Sequence, residues 1–177
     1  TWHFVTPDDI RWLLALTAPR IQAAGASRWR QLGLDDALFK RSHAALGKAL
    51  RHGPLARPQV GDVLAQAGVL ADGDPRLSHV LMRAELDGLI CSGGRQGKQF
   101  TYALLDQRVP KAKTQSRDEA LAELTRRYFT AHGPATEQDY AWWSGLTLTD
   151  VRRGLESIIS QLRHEVIDDQ AYWLIES

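Results

Sequence analysis

Between Ser92 and Leu104 the chain carries two cations, Arg95 and Lys98, three glycines, Gly93, Gly94 and Gly97, and no carboxylate. Cations on a backbone that can approach a ligand closely suit the gripping of phosphate. Arg108, Lys111 and Lys113 follow within a few residues, so five cations are available to neutralise a polyanion and release its counterions. A second group, Arg76, His79 and Arg83, recurs at spacings of three and four and therefore shares one face of a helix, opposite Leu77, Val80, Leu81 and Ala84. That face suits phosphates or base edges, although Asp87 continues the same stripe and makes an ordinary solvated face the plain alternative.

Other reactive groups point to no site. The six histidines, at 3, 43, 52, 79, 132 and 164, lack ligand spacing, and Cys91 has no second cysteine, so neither a metal nor any other cofactor is expected. His52 and His132 each precede a glycine, where an imidazole can serve the last carbonyls of a helix. Asp35-Asp36 and Glu119 with Glu123 have helix-capping or surface explanations. Trp2 and His3 stand in a strand-like opening and read as structural.

The elements that must position these groups follow from periodicity. Thr6, Pro7, Asp8 and Asp9 open a helix, and Pro19 opens another toward Leu32. Asp35 starts a third, with Leu38, His43, Leu46 and Leu50 in a rough stripe, ended by His52-Gly53-Pro54. A short helix runs from Pro58 to about Ala67, and Asp74-Pro75 opens the next, to Gly88. The period then turns alternating: residues 89–92, a turn around Gly93 and Gly94, and residues 99–104 read as a β-hairpin. Three helices and a hairpin in this order make a winged helix.

The pattern then repeats. Ser116 and Glu119 form a capping box for a helix through Phe129, ended by His132-Gly133-Pro134. Thr136 caps a short helix closed by Gly145, and Thr147 caps a third with Val151, Leu155, Ile158 and Leu162 on one face. Residues 166–167 and 171–174, joined at Asp168-Asp169, close the unit as a hairpin. The two His-Gly-Pro tripeptides, 80 residues apart, mark the internal repeat. The expected fold is mainly α with small β-hairpins, built of tandem winged helix-turn-helix units. Its expected segments are 1–34 (a strand and helices continuing from an earlier unit), 35–105 (a winged helix), 106–115 (a linker) and 116–177 (a second winged helix). Residues 1–5 resemble a closing wing strand and the chain opens at Thr1, as expected of a piece of a longer protein.

Charge separates the two halves. Residues 1–115 hold 16 Lys/Arg against 10 Asp/Glu and residues 116–177 hold 6 against 11, a contrast hidden inside a net charge of +1. Such asymmetry suggests that the first half faces a polyanion. Glu137, Asp139, Asp168 and Asp169 would repel phosphate from the second, where Arg152, able to pair with Glu156, and Arg153 are the exceptions. Tyr140, Trp142 and Trp143 there read as core and interface residues. No apolar stretch spans a bilayer and no signal segment is present, so a cytoplasmic setting without membrane contact is expected.

Three stretches resemble a known family. They are residues 1–12, Thr-Trp-His-Phe-Val-Thr-Pro-Asp-Asp-Ile-Arg-Trp, residues 82–90, Met-Arg-Ala-Glu-Leu-Asp-Gly-Leu-Ile, and residues 128–146 with their His-Gly-Pro-Ala-Thr and Trp-Trp-Ser-Gly-Leu. They are similar to the winged-helix DNA-binding family that includes the AlkZ/YcaQ-type DNA glycosylases. The resemblance implies winged-helix units stacked around a concave DNA-binding surface, in proteins that excise alkylated bases. It also implies double-stranded DNA as partner, for which the cations read above from charge and spacing, Arg76, His79, Arg83, Arg95, Lys98, Arg108, Lys111 and Lys113, are the expected contacts. Family members use a Gln-x-Gln or Gln-x-Asp motif for catalysis. No glutamine in this sequence has Gln or Asp two positions on, so no catalytic residue is assigned. A winged-helix transcription regulator or a protein-interaction module is the alternative, and the oligomeric state stays open.

Overall fold

A computed structural model describes residues 5–109 and 115–175. They divide into two compact units, one of residues 5–14 and 21–109, the other of residues 15–20 and 115–175.

The chain opens into a long helix, α1 (Ile10–Gln31), whose residues 15–20 count with the second unit and the rest with the first; it is entered through a turn in which the Thr6 carbonyl accepts from the Asp9 and Ile10 amides. Two helices were expected here, parted at Pro19, but Pro19 lies inside one continuous helix of 22 residues. A proline forfeits a single amide bond, and a helix held on both sides of it by other contacts can run through. The expected strand at residues 1–5 lies outside the described residues except for Val5, which is exposed coil.

Asp35 caps α2 (Asp36–Leu50) as expected, accepting from the Leu38 amide at 2.7 Å. After the His52-Gly53-Pro54 turn, Leu55–Ala56 form a two-residue strand, β1, that leads into α3 (Arg57–Gln66). α4 (Leu77–Leu86) buries Val80, Leu81 and Ala84, and Gly88, at φ +68°, carries the chain into β2 (Ile90–Ser92) and β3 (Thr101–Leu104). The sheet order is β1-β3-β2, all antiparallel, with Leu55 opposite Tyr102 and Cys91 opposite Ala103. The core gathers Trp29 of α1, Phe39, Leu46 and Leu50 of α2, Val60 and Leu64 of α3, and Val80 and Leu81 of α4. Its stripes arise because apolar residues recur at three and four, the helical repeat. Residues 105–108, mostly assigned to a linker from their polarity, form instead a short helical turn, α5 (Leu105–Arg108). Its Leu105, with Val109, packs against Cys91 and Ile10, which holds the turn down.

The second unit runs α6 (Arg117–His132), α7 (Glu137–Ser144), α8 (Leu148–Ser157), β4 (Arg163–Ile167) and β5 (Gln170–Leu174). Its caps are those expected: Ser116 with Glu119, Thr136 with Asp139, and Thr147 accepting from the Asp150 amide. α6 continues three residues beyond Phe129. At the turn between β4 and β5, Asp168 and Asp169 both take positive φ, 49° and 61°, as a two-residue hairpin connection of the primed type requires. The residue after the second His-Gly-Pro, Ala135, exchanges both backbone hydrogen bonds with Trp173 of β5, at 3.0 and 2.8 Å. Leu55 holds the equivalent place opposite β3, so the two tripeptides act alike. Each sends the chain from a helix end onto the last strand of its unit.

Candidate nucleic-acid interface

The ribbon between β2 and β3 carries two cations, Arg95 and Lys98, and no carboxylate. It turns at Gly97-Lys98 rather than at the expected Gly93-Gly94. Gln96 and Gln99 exchange backbone hydrogen bonds, both 3.0 Å, around Gly97 at φ +59°. Gly93 serves a different end, since a methyl there would collide with Thr101 and Pro54. Arg95 and Phe100 flank the Gln96–Gln99 bridge, and the Arg95 guanidinium lies 4.7 Å from the ring centroid. Both are exposed, Phe100 at 70%. Lys98 is exposed at the turn itself. Neither Arg95 nor Lys98 has a carboxylate partner among the described residues.

The cations on α4 stand differently. Arg76 clamps Asp74 through three contacts of 2.7 to 3.1 Å and donates to the Leu32 carbonyl at 3.2 Å. The hydrogen bonds from Arg76 hold the Asp74 carboxyl below the usual carboxylate range. Arg83 lies over Phe39 and Trp29, at 4.9 and 5.5 Å, while pairing with Asp87 at 2.8 Å and approaching Asp36 at 3.9 Å. His79, half-buried, sits between them on the helix. The three share a helical repeat, but both arginines are already engaged by acids of their own unit. Arg108 is exposed on α5, and Lys111 and Lys113 lie outside the described residues.

The second unit pairs the arginines of α6 and α8 with its own acids. Arg117 pairs with Asp150, Arg126 and Arg127 with Glu123, Arg152 with Glu137 at 2.9 Å, and Arg153 with Asp118 at 2.7 Å. Glu156, the partner expected for Arg152 from spacing, is not the one it finds. Tyr140 is fully buried and shares a hydrogen bond of 3.1 Å with Thr125, which leaves the phenol's pKa raised by burial. Trp143 packs on Tyr128 and His132, whereas Trp142 is 88% exposed and is not part of the core. His132 meets the Tyr128 carbonyl at 3.3 Å, as a histidine at a helix end was expected to do.

Two further groups lie apart from these cations' ion pairs. Cys91 is buried, which pushes its thiol pKa up and makes it inert. Burial likewise pushes the Glu85 carboxyl up to about 7, against the opposing pull of Arg57. Among the described residues no cluster of His, Cys, Asp and Glu has metal-binding geometry, and no helix is long and apolar enough to cross a membrane. Phe100 could not be singled out from sequence because its alternation with Tyr102 marks it as a strand residue. Its place just outside the cation-bearing turn was the one signal.

Comparison with known proteins gives two findings. The family model described as DNA glycosylase AlkZ-like matches residues 1–177. The solved structure of the Streptomyces sahachiroi DNA glycosylase AlkZ is similar, with a TM-score of 0.78 at 19% sequence identity over 97% of this chain and 48% of that one. At that identity the likeness is one of fold, and this chain spans about half the length of that protein. No curated protein matches the sequence.

Proposed function

The chain belongs to the AlkZ-like DNA glycosylase family, and on that premise we propose that it holds double-stranded DNA through two winged helices within a DNA-repair protein. Each unit supplies the parts of a winged helix: α2, α3 and α4 with the ribbon β2–β3, then α6, α7 and α8 with the ribbon β4–β5. The observation that carries the reading is the contrast in unspent charge. Arg95 and Lys98 stand exposed on a ribbon without carboxylates, while the arginines of α6 and α8 are matched by acids. Free cations attract phosphates, and paired ones offer little.

In this reading the first ribbon and Arg108 grip the backbone and position the duplex, with Lys111 and Lys113 adding charge. Arg76 and Arg83 chiefly fix α4 within its unit and reach DNA only by exchanging partners. Of Arg76, His79 and Arg83, His79 alone has no acid partner among the described residues. No residue of this chain is assigned to base excision, because none matches the family's glutamine motif.

The test is a pair of double variants followed by equilibrium binding to one duplex across a salt series. Replacing Arg95 and Lys98 with alanine should make the plot of log affinity against log salt shallower by about 1.8, at roughly 0.9 per phosphate contact. The loss should be nearly equal for all sequences, because phosphate contacts position without reading bases. Replacing Arg152 and Arg153 should change the slope little. A larger loss from the second pair would place the contact in the wrong unit and refute the assignment.

A further inference from the structure

We infer that the first ribbon is also a wedge: Phe100 enters a base-pair step from the minor groove while Arg95 and Lys98 hold the flanking backbone. The inference rests on the DNA-binding reading above and adds what the cations alone do not explain. By alternation Phe100 falls on the side of Tyr102, which packs against the core, yet its own ring is 70% exposed beside the turn. Phe100 precedes β3, one residue outside the three-stranded pairing, so it braces nothing in the sheet. The Arg95 guanidinium covers its face at 4.7 Å, and the ring thus waits under a cation that phosphate can draw away.

The tip is shaped for entry. Gly97 has no side chain and open space around it, and Lys98 is the other residue of the turn. A glycine tip narrows the ribbon toward the width of a minor groove, roughly 6 Å. The cations suit the negative potential there. Apolar rings inserted from this groove unstack a step and kink the duplex. Pyrimidine–purine steps unstack most readily, so a TA step should be favoured over an A-tract. The wedge therefore reads deformability rather than base edges.

The experiment uses the 177-residue chain and a duplex with 2-aminopurine, whose emission rises on unstacking, at a central TA step. Wild-type protein should raise the emission at saturation, and more than it does within an A-tract. Phe100→Ala should abolish the rise and weaken binding about tenfold, in the range found when a stacking aromatic is truncated. Phe100→Leu should keep most of the rise, since leucine also wedges. Netropsin, which occupies the minor groove, should compete. Because Phe100 is exposed, the alanine variant should keep its far-ultraviolet circular dichroism. Saturable binding with flat emission, an emission rise that survives Phe100→Ala, or binding indifferent to netropsin would overturn the wedge and leave the DNA-binding reading standing. Failure of wild-type protein to bind the duplex at all would overturn both.

Discussion

Replacing Gly154 with alanine tests the packing that shapes the second unit. Gly154 lies on α8 where it meets α6, and a methyl there would fall well inside the van der Waals radius of Thr125 Oγ1, with the Leu121 carbonyl 3.4 Å away. The Thr125 side chain cannot move freely. It is fully buried, donates to Leu121 O at 2.7 Å and meets the Tyr140 hydroxyl at 3.1 Å. Overpacking of this kind costs about 1 to 3 kcal/mol, and losing one of the hydroxyl's two bonds adds about 1 kcal/mol. Alanine returns about 1 kcal/mol through helix propensity. The net expectation is a loss of about 1 to 3 kcal/mol, or roughly 5 to 15 °C in the melting transition of the second unit. Chemical denaturation of Gly154→Ala, Thr125→Ala and the double variant measures it. In the Thr125→Ala background the cost of Gly154→Ala should shrink by at least about 1 kcal/mol, a coupling typical of residues in contact. An equal cost in both backgrounds, or a stabilising Gly154→Ala, would refute the reasoning.

Two further outcomes follow. Glu85, with a carboxyl raised from 4.5 to about 7 by burial, binds its proton more tightly folded than unfolded. Its contribution to stability is therefore full below about pH 4.5 and is lost as pH rises through 7. Glu85→Gln should match wild type at pH 4 and exceed it at pH 8 by about 1 to 3 kcal/mol in urea titrations; a difference independent of pH would exclude this origin. The purified chain should release no base from alkylated duplex, for want of the family's glutamine motif, and base release above a no-protein control would overturn that assignment.

What could be read in the residues was chiefly what is local. Asp35, Ser116 with Glu119, Thr136 and Thr147 announce helix starts because a cap needs only residues a turn away. The turn at Asp168-Asp169 was visible for the same reason. What escaped depends on distant partners. Strand β1 is two residues long and exists because β3 lies beside it. Pro19 would end an isolated helix. In the candidate site, charge counting found Arg95 and Lys98 because the absence of nearby acids is itself local. Helical spacing grouped Arg76 with Arg83 but was silent on Trp29, Phe39 and Asp36, which meet Arg83 from outside α4. The partner of Arg152 is Glu137, fifteen residues back, rather than Glu156 one turn ahead. Aromatic type alone was equally silent on which of Tyr140, Trp142 and Trp143 faces water.

Amide hydrogen exchange of the chain with and without a plain duplex, at low salt, tests the central claim most directly. Duplex should slow exchange across residues 90–104, centred on the Gly97-Lys98 turn, and leave α6 and α8 unchanged, with the protection fading as salt is raised. Protection confined to residues 116–174, or no protection anywhere at low salt, would contradict the account.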